Sequence, residues 1–176
     1  MVGLLRLIEA HPTFCLKTRK GRRDGRPLSI TNSMHLVLRS SKARGPWSFK
    51  LKKNRYAIQK ICQKFAHKNA VQIVSMANVG NHLHLQIQLG HRGGYKPFIR
   101  AISAAIVMTV TGVNRWTRGR IKAGKFWDHR PFTRIVMGYG AKLALQDYIL
   151  INQLEGGGIS RTEAELWVRG PPLLGL

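Results

Sequence analysis

The chain has 176 residues, 44% of them hydrophobic, which suits one domain with a sizeable core and room for a terminal arm. Lys and Arg number 30 against 7 Asp and Glu, a net +23 that says nothing of the fold but makes nucleic acid the leading partner. No run of about 18 apolar residues predicts a membrane span, and Met1–Ala10 is too short and too charged for a secretory signal. Cys15 and Cys62 are isolated, with no CxxC for a zinc ribbon or a redox motif, so a reducing compartment fits. A cytoplasmic, nucleoid-associated protein is expected.

Residues 1–33 form a basic N-terminal arm, densest over 17–27 around Arg22 and Arg23. Such a block is ordinarily a solvated segment, and the same charges suit an arm that lies along phosphates. Met34–Ser40 predicts a strand with His35, Val37 and Arg39 on one face and Leu36 and Leu38 on the other. Ser41–Pro46 is a loop. Lys50 to His67 predicts a helix, since Ile58, Ile61, Cys62 and Phe65 recur at three- and four-residue spacing. Cys62 then reads as an inert core thiol.

Val71–Asn78 and 81–89 predict a hairpin closed by Val79-Gly80-Asn81. From His82 the second arm alternates strictly: His82, His84, Gln86 and Gln88 face one way, Leu83, Leu85, Ile87 and Leu89 the other. Gly90–Lys96 predicts a loop. Pro97 sits where a helix could start, because its missing N–H would be unpaired there anyway, and Phe98–Thr111 continues it with Ile99, Ile102, Ile106 and Val110 inward. Asn114–Lys125 is a second basic loop, with Arg115, Arg118, Arg120 and Lys122. Phe126–Val136 predicts a fourth strand with a bulge or edge at Pro131. Ala141–Leu154 predicts a helix between glycines, and Ser160-x-x-Glu163 a capping box for a short last helix before Pro171-Pro172.

The order β-α-β-β-α-β-α predicts an α+β protein. Its first six elements would form a ferredoxin-like antiparallel sheet with two helices on one face, and the added C-terminal helix must pack elsewhere. Two imidazoles side by side on the polar face are a natural pair of metal ligands; the plainer alternative is a pair of exposed or hydrogen-bonded strand histidines. On the 141–154 helix, Tyr148 and Asn152 project together, with Leu143, Leu150 and Leu154 opposite. A core tyrosine is the plainer reading of Tyr148. If the helix lies on the polar face of the sheet, Tyr148 and Asn152 approach the histidines.

The element order, Asn81-His82-Leu83-His84 and Tyr148-Ile-Leu-Ile-Asn152 together resemble the single-tyrosine HUH transposases over residues 34–155. The nearest branch is the REP-associated tyrosine transposases and related insertion-sequence transposase-like proteins. The resemblance implies a HUH endonuclease domain over 34–158, followed by a short helix and tail over 159–176. It implies that His82, His84 and Asn152 bind a divalent metal, Mg²⁺ or Mn²⁺, with Gln153, about 100° further round the helix, as the fallback third ligand. Tyr148 takes the nucleophile's place. The implied activity is cleavage and transfer of single-stranded DNA, often hairpin-bearing, through a 5′-phosphotyrosine. Arg22, Arg23, Arg39, Arg115, Arg118, Arg120 and Lys122 would contact DNA, and Trp47, Trp116 or Trp127 could stack on bases, although tryptophans are more often core anchors. His35 and His129 are read as DNA contacts or structural groups outside the catalytic set. Both a monomer and a homodimer are open, with Tyr148 serving the histidines of its own chain or of a partner. The alternative function is a non-catalytic nucleic-acid-binding module on the same frame, which would ordinarily read bases with sheet-face aromatics; here that face carries His and Gln. A hydrolytic metal nuclease using water in place of Tyr148 is the third reading.

Overall fold

In the computed structural model, which describes residues 26–113 and 125–170, alternation and helical spacing resolve into strands and α-helices. They are β1 (Met34–Arg39), α1 (Lys52–Lys68), β2 (Val71–Asn78), β3 (His82–Leu89), α2 (Arg92–Thr111), β4 (Phe132–Ile135), α3 (Tyr139–Gly157) and α4 (Arg161–Arg169). The protein is α+β. One sheet runs β2-β3-β1-β4 with every neighbouring pair antiparallel.

The apolar side of the alternation makes the core. Met34, Leu36 and Leu38 of β1 and Leu83, Leu85, Ile87 and Leu89 of β3 are buried against Ile58 and Cys62 of α1 and Phe98, Ile102 and Ile106 of α2. Each such side chain stabilises the fold by about 1.5–3 kcal/mol. Burial pushes the Cys62 thiol up to about 12, so it is an inert core group. Because strand side chains alternate, the same packing turns His35, His82, His84 and Gln86 to the opposite face, where α3 lies across β2 and β3.

Gly80 closes the β2–β3 turn at φ +102°, a conformation that favours glycine. The turn is held by Val79 N–H donating to the His82 carbonyl (3.1 Å) and Phe49 N–H donating to the Gly80 carbonyl (2.8 Å). A bulge between Ile73 and Ser75 re-aims β2, so that Ser75 pairs with Gln86 and Ala77 with His84.

Two expectations change. The stretch 90–96 is not a loop up to Pro97: α2 begins at Arg92 and Pro97 lies inside it. Gly94 explains the start, because a Cβ there would stand 2.1 Å from the Asn69 carbonyl oxygen. The glycine thus serves a close approach of α2 to the end of α1, and Pro97, in the second turn, gives up the bond to the Gly93 carbonyl. The fourth strand is four residues, not 126–136. Phe126 and Trp127 turn into the core, and Ser40 Oγ donates to the Phe126 carbonyl (2.6 Å). Asp128 fixes the turn that follows by accepting from Ser41 N–H (2.8 Å) and Ser41 Oγ (2.9 Å). Trp47 and Trp127 take the more usual role of core anchors: Trp47 packs on Phe126, and Trp127 Nε1 donates to the Ser103 carbonyl (3.2 Å). Trp116 lies outside the described residues. Ser160 is the N-cap of α4, its Oγ accepting from Glu163 N–H (3.3 Å), which is the serine half of the expected capping box.

Candidate active site

The site grows from the register of β1 on β3. Val37 pairs with His84 and His35 with Gln86, so His35 lies diagonal to His84 on the face away from the core. Their rings stack at 5.3 Å and 18°, and His35 Nε2 and His84 Nδ1 share a hydrogen bond of 3.1 Å. His82, two residues before His84, sets its ring edge-on to it at 4.8 Å. His82 Nδ1 bonds Asn81 Oδ1 at 2.6 Å.

Helix α3 closes the site from above. Small Ala77, opposite His84 in the sheet, is covered by Leu145 and Ile149, with Tyr148 and Val136 packed alongside. Gly156 sets the depth of the helix, since a Cβ there would stand 2.4 Å from the Asn78 carbonyl oxygen. Tyr148, Asn152 and Gly156 recur every four residues and share one stripe. The Tyr148 ring meets the His84 ring edge-on at 5.4 Å and the His35 ring at 6.0 Å. Asn152 is buried one turn on, its Nδ2 donating to the Tyr148 carbonyl at 2.6 Å, which leaves Oδ1 as its acceptor.

Burial and cationic neighbours keep these imidazoles neutral. Desolvation, then the Arg134 charge, lowers His35 to about 4. Desolvation, then His82 and His35, lowers His84 to about 3. His82 is lowered by desolvation and by Arg39. At neutral pH all three rings therefore keep a lone pair.

No protein-family model matches the chain, and no curated protein matches it in sequence. Solved structures do match in shape. A REP-associated tyrosine transposase, solved bound to a REP hairpin, superposes with a TM-score of 0.59 at 14% identity, over 77% of this chain and 74% of that one. A proposed transposase from Deinococcus radiodurans gives a TM-score of 0.47 at 15% identity, over 74% of this chain and 95% of that one. The chain has the tyrosine-transposase fold.

On this fold, His82, His84 and Tyr148 come together, with Asn152 buried on the same stripe of α3 as Tyr148. Gln153 is exposed on another side of α3. There it lines a groove of about 400 Å³ with Arg55, Gln59 and Gln63. Among the described residues no three His, Cys, Asp or Glu side chains are grouped to hold a metal, but the set here is two imidazoles and an amide. One direct observation fits a divalent cation here: among the described residues, His84 Nε2 is buried with no hydrogen-bond partner. Arg39 pairs with Asp128 at 3.6 Å and is largely exposed beside His82. His129 is exposed near the same turn. Arg22, Arg23, Arg115, Arg118, Arg120 and Lys122 lie outside the described residues.

Two neighbours of the histidines escape a reading of the sequence as ligands alone. His35 alternates onto the right face, yet only the strand register makes it a partner of His84. Asn81 is adjacent to His82 and looks like a turn former.

Proposed function

We propose that the chain cleaves and rejoins single-stranded DNA as a transposase or a domesticated relative, with Tyr148 as nucleophile. The observation that carries this reading is the Tyr148 ring set against His84 and His35 on the polar face of the sheet. The fold shared with a transposase solved on a REP hairpin supports a hairpin-bearing single strand as substrate. In this reading residues 34–158 are the catalytic body and 1–33 an arm along the DNA.

His82 and His84 through ring nitrogens, and Asn152 through Oδ1, would hold Mg²⁺ or Mn²⁺. Bound there, the cation would draw charge from a non-bridging oxygen of the scissile phosphate. Tyr148 Oη attacks phosphorus, its proton passing to water, while the bond from phosphorus to O3′ breaks. The departing oxygen takes a proton and becomes a free 3′-OH, and the 5′-phosphate stays on Tyr148. Attack by a 3′-OH on the phosphotyrosine reverses the balance and rejoins strands without ATP. Arg39 and Arg134, across the strands from His82 and His35, supply positive charge for the incoming phosphates.

The test is incubation with hairpin-bearing single strands and Mg²⁺, followed by a denaturing gel. Wild type should form a denaturant-resistant adduct that EDTA prevents. Tyr148→Phe should form none yet still retard the DNA on a native gel. An adduct from the Phe variant would remove Tyr148 as nucleophile. Binding by wild type without cleavage would leave a nucleic-acid-binding module, and a free 5′-phosphate without adduct a hydrolytic nuclease.

A further inference from the structure

The hydrogen bonds behind the two histidines are not equivalent to a random pair of strand contacts. Asn81 Oδ1 can only accept, so the 2.6 Å bond places the His82 proton on Nδ1 and leaves Nε2 with its lone pair. The His35–His84 bond can run either way at 3.1 Å. If His35 donated, His84 would carry its own proton on Nε2, a buried donor with no acceptor among the described residues. If His84 Nδ1–H donates to His35 Nε2, the buried Nε2 of His84 is a lone pair instead, without a partner among the described residues but open to a cation, matching His82.

We propose that His35, with Asn81, is a positioning residue that holds His84 and His82 as Nδ1–H tautomers, so that both present Nε2 to one divalent cation. His35 itself does not touch the metal; its Nε2 is occupied as the acceptor. The stacked geometry of the two rings, 18° apart, also fixes the plane of His84, and outer partners of this kind orient metal-ligating histidines generally. The pair is built across two strands, because β1 brings His35 diagonal to His84. This inference rests on the metal reading of the site, but the tautomer it assigns is a property of the metal-free protein.

The experiment is ¹⁵N long-range correlation NMR of the histidine rings in metal-free protein near pH 7.5, alongside Mn²⁺ titration followed by EPR. Wild type should show the Nδ1–H form at both His82 and His84. His35→Phe should shift His84 toward Nε2–H and weaken Mn²⁺ binding by roughly 10–100-fold. His35→Gln, which can still accept from His84 through its amide oxygen, should restore both the tautomer and most of the affinity. Thermal melts of the two variants identify any that merely unfolds, and the wild-type tautomer decides the assignment without them. An Nε2–H proton on wild-type His84 overturns the proposal, as does a folded His35→Phe protein with tautomer and Mn²⁺ affinity unchanged. Nδ1–H at both rings with no Mn²⁺ uptake by wild type keeps the role of His35 and removes the metal reading.

Discussion

Burial lowers all three rings, and their shifts make stability depend on pH. His35 is lowered to about 4 and His84 to about 3, with His82 lowered as well, all chiefly by desolvation. An unfolded histidine takes its proton near 6.5, so below that pH the unfolded chain binds more protons than the folded one. The stability these rings leave intact is fully present above about pH 6.5 and declines as pH falls toward the folded values. Between pH 7 and 5, above the ordinary carboxylate range, His35 or His84 forfeits up to about 2 kcal/mol. The melting temperature of wild type should fall over that window. His84→Gln should flatten the fall, and an unchanged slope would show that the ring is already solvated. The sequence made His82 and His84 legible because one strand's alternation fixes their face. His35 was placed on the same face but not beside His84, since alternation within a strand does not fix the register between strands.

At the level of elements, α3 makes the site, and two of its glycines separate packing from propensity. At Gly156 a Cβ would stand 2.4 Å from the Asn78 carbonyl oxygen; at Gly140 no atom of the described residues lies within 4 Å. Gly156→Ala should therefore push the helix end off β2, costing about 1–3 kcal/mol and tilting Tyr148 away from His84. Gly140→Ala, in the first turn of the same helix, should raise stability by about 0.4–1 kcal/mol. Denaturant melts of the pair check both signs, and the Gly156 variant should also lose DNA adduct before it loses its fold. Equal melts would mean that Gly156 does not set the helix depth. The helix was legible from its spacing and from the glycines at its two ends. Its sheet-facing stripe was legible only in part, because Tyr148 and Asn152 could be seen to project together while the glycine that seats them looked like a terminator. Gly94 misled for the same reason: a residue chosen for close backbone approach resembles one chosen for a turn.

For the molecule as a whole, the +23 charge is the property that the fold does not explain. The described face offers Arg39 and Arg134 beside the histidines, while the segments 17–27 and 114–125 hold dense runs of Lys and Arg. Nucleic-acid binding by such a chain must release counterions, and for single strands log K falls with log salt at about −0.7 per phosphate neutralised. A protein meeting about six phosphates would then lose on the order of 10²–10³ in affinity between 50 and 200 mM salt. Arg39 gives this a local test. It is exposed over most of its side chain and its one ion pair among the described residues, with Asp128, is 3.6 Å long; an exposed pair of this kind adds little to stability. Arg39→Gln should therefore leave the melt nearly unchanged and make the salt slope of hairpin binding shallower by about 0.7, one phosphate's worth. The measurement is anisotropy of a labelled hairpin across a salt series for both proteins. Parallel lines with equal intercepts would exclude Arg39 from the DNA path. Parallel lines with a weaker variant would assign it to shaping the His82 environment instead, because its charge is one of the two causes that keep that ring neutral.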